Sequence, residues 1–126
     1  MKINNNGPLR MKSKAFAIRI IRLTQYLQEK HKEYVLSNQI KKSGTSIGAN
    51  VRESRNAQSK ADFISKLQIA LKESDESEYW LELLYETDYI TNEAFDSLMA
   101  DNKELTALLT SIIKSLKNNN NENNQP

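Results

Sequence analysis

Glu73, Glu76 and Glu78, with Glu82 and Glu86 after them, are the side chains of this 126-residue chain best suited by type to acid–base or metal chemistry. In helical spacing Glu73 and Glu76 share a stripe with Ile69, Trp80 and Leu83, which sets two carboxylates among large apolar groups. One reading of the two is a catalytic carboxylate pair. The rest of such a site is missing. A di-iron bundle takes Glu-x-x-His pairs from two helices, whereas the sole histidine, His31, stands in a polar stretch. There is no cysteine to serve as nucleophile or thiolate ligand. The carboxylates are therefore expected to make structural contacts, and no enzyme activity, catalytic residue, metal or cofactor is expected.

Gly44-Thr45-Ser46-Ile47-Gly48 has the small, hydroxylated composition of a phosphate loop but lacks the Gly-Lys-Ser/Thr ending that places a lysine and a hydroxyl on the nucleotide. It also lies inside a helical pattern, since Leu36, Ile40, Ser43, Ile47, Val51 and Ser54 recur at steps of three and four. Glycine weakens a helix by about 1 kcal/mol relative to alanine, so two of them on a helix imply a neighbouring helix packed very close. Beside that seam runs a polar stripe, Gln39, Lys42, Ser46, Asn50 and Glu53. If it meets the Glu73 and Glu76 stripe, Lys42, Ser46, Asn50, Glu53, Glu73 and Glu76 form a structural polar network that fixes helix register with little net stabilisation.

Cations offer a different chemistry. Arg19, Arg22, Tyr26 and Lys30 make one stripe, and Lys41, Thr45, Gly48, Arg52 and Arg55 another with small residues at its centre. Together they suit the sugar–phosphate backbone of RNA or DNA: contacts would be salt-dependent and sequence-blind, with Tyr26 as a stacking surface. The whole-chain charge of +2 conceals a partition. Residues 1–60 hold thirteen Lys or Arg against three acids, and residues 61–126 five against thirteen. The acidic half either neutralises the basic half, within or between subunits, or leaves it for a polyanion. Asp75, Glu78, Glu82 and Glu86 form the acidic counterpart stripe, close to Tyr79, Trp80, Tyr85 and Tyr89. Aromatic groups with polar tips favour interfaces, so Tyr79, Trp80 and Leu83 are expected to join copies of the chain.

The elements that position these residues are all helical. Period-two alternation is absent, and apolar residues recur at 3.6-residue spacing in four segments. Helix one is expected from Ser13 to His31 with Phe16, Ile20, Leu23 and Leu27 inward. Helix two is expected from Ser37, as N-cap, to Ala57 with Leu36, Ile40, Ile47 and Val51 inward. Ser59 with Asp62 three residues on reads as a capping box opening helix three, which runs to Glu86 on a Phe63, Leu67, Leu71, Ser74, Leu81, Leu84 seam. Thr91 opens helix four, carried to Lys117 by Leu98, Leu105, Leu109, Ile112 and Leu116. Short links force antiparallel neighbours, giving an all-α, up-down-up-down four-helix bundle over residues 13–117. Residues 1–12 are expected to be a flexible basic arm, and the Asn-rich residues 118–126 a disordered tail. No stretch approaches the roughly 18 apolar residues of a membrane span, and the lack of cysteine suits a reducing compartment, so a cytoplasmic protein without membrane contact is expected.

Gln39-Ile40, Ser46-Ile47, Asn50-Val51, Glu53, Asp62-Phe63-Ile64, Lys66-Leu67, Ile69 through Glu73 and Glu76 through Leu81 together resemble the bacterial four-helix bundle family encoded in 23S rRNA intervening sequences, over about Phe16 to Lys117. The family pattern covers Ser46, Asn50, Glu53 and Glu76. Lys42 stands where arginine is common, and Ser54 where glycine is. A lysine does not reproduce a bidentate arginine contact. The resemblance implies a homo-oligomeric ring, a pentamer, without catalytic activity. A related branch, the accessory proteins of diversity-generating retroelements, implies a basic ring surface that binds nucleic acid and a reverse transcriptase. The expected function is thus a non-enzymatic, ring-forming bundle that binds RNA or DNA through helices one and two. The alternative is a structural oligomer or protein-partner scaffold that binds no nucleic acid.

Overall fold

A computed structural model of the chain describes residues 7–123, with side-chain burial defined through Asn119. Four helices fill this span: α1 (Pro8–His31), α2 (Val35–Ser54), α3 (Lys60–Glu86) and α4 (Asn92–Asn123). No strand occurs among the described residues. Each helix packs against the one that follows it, α4 closes the square against α1, and the backbones of the diagonal pairs α1/α3 and α2/α4 do not approach one another closely. With links as short as Lys32–Tyr34, the result is an all-α, antiparallel four-helix bundle. No described helix is long and apolar enough to cross a membrane.

The inward seams are those the periodicity marks. Phe16, Ile20, Leu27, Ile40, Ile47, Val51, Phe63, Leu67, Leu81, Leu84, Leu98, Leu105 and Leu109 are all buried, each such side chain contributing about 1.5–3 kcal/mol of transfer free energy. Leu23, Leu36, Leu71, Ile112 and Leu116 lie at the seam edges, partly buried against that core.

Helix ends follow local chemistry. The Ser59 hydroxyl accepts the Asp62 amide at 3.0 Å, while the Asp62 carboxylate accepts the Gln58 amide at 3.2 Å. Thr91 caps α4 by accepting the Ala94 amide at 3.1 Å. Several boundaries differ from expectation. α1 starts at Pro8, not Ser13, because Pro8 occupies the first helical turn and Leu9 is buried, which carries the helix through residues 8–12 of the anticipated arm. α2 starts at Val35, and Ser37 is not its cap: the Glu33 carboxylate accepts the Ser37 amide at 2.8 Å, and the Ser37 hydroxyl donates back to the Glu33 carbonyl at 2.7 Å. α4 runs past Lys117 to Asn123. The remaining parts of the expected arm and tail, residues 1–6 and 124–126, lie outside the described residues.

α1 turns into α2 through Lys32, held in the left-handed region at φ 52°, and α3 turns into α4 through Asp88 at φ 67°. Both corners lie at the same end of the bundle. There the His31 ring stands edge-on to Tyr26 and to Tyr89, with centroids 5.2 and 5.5 Å away, and joins the two corners.

The two glycines of α2 do not interrupt the helix, and neither has a positive φ. They serve the approach of α1, but unequally. A Cβ on Gly44 would stand 2.8 and 2.9 Å from the γ-carbons of the fully buried Ile20, whereas one on Gly48 would meet the Ser13 carbonyl oxygen at an ordinary 3.4 Å. Gly44→Ala is expected to destabilise the protein by about 1–3 kcal/mol through overpacking. Gly48→Ala is expected to be neutral or to stabilise by up to about 1 kcal/mol through helix propensity. Urea denaturation of both variants checks the contrast, and equal effects would place the tight contact elsewhere.

Candidate functional site

Packing α1 closely against α2 leaves a solvent-open groove of about 310 Å³ along the seam. Its floor is formed by the small residues Ala17, Gly48 and Ala49, and its walls carry Arg10 and Lys14 from α1 and Arg52 from α2. The spacing of Lys41, Arg52 and Arg55 along α2 keeps them on this same side, where all three are exposed. The ion pairs among the described residues are Lys12–Glu104, Arg19–Asp101 and Lys66–Glu53, so none of the five groove-side cations has a carboxylate within 4.0 Å.

The expected stripe on α1 borders a different seam. Arg19 Nη1 lies 2.6 Å from Asp101 Oδ2 and donates to the Ser97 carbonyl at 3.4 Å, so it is engaged by α4. Arg22, Tyr26 and Lys30 follow Arg19 at steps of three and four and share that side of the helix. Arg22 reaches only Gln25, and the Tyr26 hydroxyl lies 3.1 Å from His31 Nε2. The α1 and α2 stripes therefore do not merge into one surface. What continues the α2 stripe is Arg10 and Lys14, which sequence reasoning assigned to an arm or passed over. The available signal was Pro8, a residue that favours the first helical turn and puts Arg10, Lys14 and Ala17 in register.

Arg10 is the unusual member. Its Nη1 is sealed from solvent and has no acceptor among the described residues. Burial, then the neighbouring charges of Arg52 and Arg55, push its pKa below the ordinary guanidinium value.

The expected polar network divides. Ser46 and Asn50 bond within their own helix, to the Lys42 carbonyl at 2.6 Å and the Ser46 carbonyl at 2.9 Å, and Glu53 approaches Lys66 at 3.7 Å. Glu73, half-buried on α3, lies near Glu76 and Lys42. The inter-helix bonds that are deeply buried belong to other residues. Ser43 and Ser77 place their hydroxyls 2.9 Å apart across α2 and α3. Between α3 and α4, Ser74 Oγ donates to Asn102 Oδ1 at 2.9 Å while Asn102 Nδ2 donates to the Ser74 carbonyl at 2.9 Å. Serines in the apolar seams were the legible sign of these contacts.

Among the described residues no three His, Asp or Glu side chains converge closely enough to hold a metal ion. On the outward face of α3, Tyr79 is 53% exposed and stands edge-on to Trp80 at 5.1 Å, with Ile69 40% exposed about three turns earlier and Leu83 half-buried. Trp80 Nε1 is buried without an acceptor among the described residues.

Comparison with known proteins agrees with this geometry. Residues 8–111 match the family model described as 23S rRNA-intervening sequence protein. A solved structure of a protein of unknown function from the S23 ribosomal protein family of Bacteroides thetaiotaomicron is 57% identical, with a TM-score of 0.83 over 84% of this chain and 95% of that one. No curated protein matches the chain significantly.

The Glu73 carboxyl titrates above the ordinary glutamate range, first because of burial, then because of Glu76, against the opposing pull of Lys42 and Lys72. A raised carboxyl pKa means that the folded chain holds a proton the unfolded chain has lost, so stability falls as pH rises from the ordinary value through the raised one. Glu73→Gln is expected to give a higher Tm than the parent at pH 7, with the difference shrinking as pH falls below the ordinary glutamate value and the carboxyl becomes protonated in both folded and unfolded chains. Thermal melts across that range check the difference, and a parallel offset at every pH would remove the ionisation from the explanation.

Proposed function

The chain belongs to the 23S rRNA-intervening sequence protein family, and from that premise we propose that it is a non-enzymatic, ring-forming bundle that binds the backbone of RNA or DNA. The observation that carries nucleic-acid binding is the unneutralised cationic face of α2, where Lys41, Arg52 and Arg55 project into solvent beside the α1 groove without a carboxylate partner among the described residues. Acids are available in the same chain, yet they pair with Lys12, Arg19 and Lys66 instead. Charges left free on one face favour a polyanion, bound through its phosphates more than its bases.

Ring formation is supported by two apolar faces on diagonal helices. α3 presents Ile69, Tyr79 and Trp80, and α1 presents Met11 and Ile18, which are 60% and 49% exposed and seven residues apart. Because α1 and α3 stand diagonally across the bundle, their outward faces point away from each other. Two different faces on opposite sides suit a head-to-tail contact, which closes into a ring when the rotation permits, whereas a twofold dimer uses one face. Five copies is the number the family resemblance implies. The same faces also support a scaffold that gathers a protein partner, such as a reverse transcriptase, with or without nucleic acid. The cysteine-free composition keeps the cytoplasm as the proposed location.

Fluorescence anisotropy with labelled single-stranded RNA and DNA across a salt series tests the binding. Affinity is expected to fall steeply with salt, and Lys41→Glu with Arg55→Glu is expected to lower the slope of log affinity against log salt by about 1 to 2 units. Salt-independent affinity, or affinity that survives the reversal, would favour the scaffold alone.

For assembly, light scattering at micromolar concentration is expected to give a single closed oligomer. Trp80→Ala, which removes a central aromatic anchor, is expected to weaken association by about 2 kcal/mol or more. A parent that remains monomeric would sink the ring.

A further inference from the structure

The groove between α1 and α2 holds more than an electrostatic surface. Arg10 stands against Arg52 and Arg55 with no acid to separate them, an arrangement that folding alone disfavours. One of its guanidinium nitrogens is withdrawn from solvent without an acceptor, and a buried donor of that kind costs stability until something accepts from it. The floor of the groove is Gly48 with Ala17 and Ala49, so nothing bulky fills the space in front of the cations. The hydroxyls nearby are committed to their own helices: Ser13 donates to the Arg10 carbonyl at 3.2 Å and Thr45 to the Lys41 carbonyl at 2.7 Å. The free donors facing the groove are therefore cationic ones, suited to a compact anion with several acceptor oxygens.

We propose that this groove is a phosphate seat, in which the Arg10 and Arg52 side chains close on one phosphate group and Lys14 stands at its rim. A volume of about 310 Å³ lies at the small end of ligand pockets, adequate for a phosphate and the ester atoms attached to it. Arginine suits the task because its fork can engage two phosphate oxygens at once. The anion also offsets the repulsion among the three arginines. The seat deepens the nucleic-acid reading above and rests on it for one source of the phosphate, a backbone phosphodiester. Free pyrophosphate is the other source with the same chemistry.

The test uses the full chain, Arg10→Gln, and Lys103→Gln as a charge-matched control on the exposed part of α4. Two probes are applied, inorganic pyrophosphate in thermal melts and a labelled single-stranded oligonucleotide in anisotropy at low salt. Circular dichroism establishes that each variant is folded, and without anion Arg10→Gln is expected to melt at or above the parent, since it relieves like-charge crowding. Pyrophosphate is expected to raise the Tm of the parent and of Lys103→Gln but not of Arg10→Gln. Oligonucleotide affinity is expected to fall about tenfold in Arg10→Gln alone, with the salt slope reduced by about 1 unit.

If pyrophosphate protection depends on Arg10 while oligonucleotide affinity does not, the seat stands and takes a free phosphate. If the parent binds no oligonucleotide yet retains that protection, the seat stands and the nucleic-acid function falls. Oligonucleotide binding and pyrophosphate protection that are both indifferent to Arg10 overturn the seat and leave the broader function on Lys41 and Arg55.

Discussion

The contact between Gly44 and Ile20 sets the geometry on which the rest of the molecule depends. Ile20 is wholly buried, and its γ-carbons occupy the space that any side chain at position 44 would need. This fixes how near α2 can come to α1, and protein interiors pack too densely for the spacing to be adjusted freely. From that spacing follows the groove on the outer side of the seam, with cations of both helices facing across a floor of glycine and alanine. A wider separation would set Arg10 and Arg52 apart as ordinary solvated charges. The local cost of glycine in a helix is thus exchanged for an alignment that neither helix achieves alone.

Much of the fold was legible because burial imposes period. Phe16, Ile20 and Leu27, or Leu67, Leu81 and Leu84, are spaced as one face of a helix demands and are buried accordingly. Ser59 and Thr91 were readable as caps because a hydroxyl before a helix can accept an amide three residues on. Ser37 misled for the same reason. The chemistry is that of a cap, but Glu33 competes for its amide, so the serine turns inward and its hydroxyl returns to the Glu33 carbonyl. The early start of α1 was hidden because residues 8–12 bury only Leu9, too few inward positions to show a helical period.

The site was legible in its parts more than in its assembly. Lys41, Arg52 and Arg55 were visible as a face of one helix, since position along a helix follows from spacing. Which face of α1 lies beside them depends on how α1 is rotated about its axis. Arg19 turns to Asp101, and the groove side goes to Arg10 and Lys14. The pairing of stripes across helices is a tertiary property. Likewise, Ser43 and Ser74 signalled polar contacts inside the seams, but Ser77 and Asn102 as their partners required the facing helices to be in place.

The reciprocal Ser74–Asn102 bonds carry a mechanical consequence. Sliding α4 past α3, even by a fraction of the about 5.4 Å of one helical turn, breaks the bond from Asn102 Nδ2 to the Ser74 carbonyl, while the Ser74 hydroxyl keeps a neighbour in Thr106 Oγ1 at 2.7 Å, so the two helices resist shear along their axes. A bundle built this way behaves as a stiff strut, transmitting force by tilting as a unit, and whatever docks on it must do the bending.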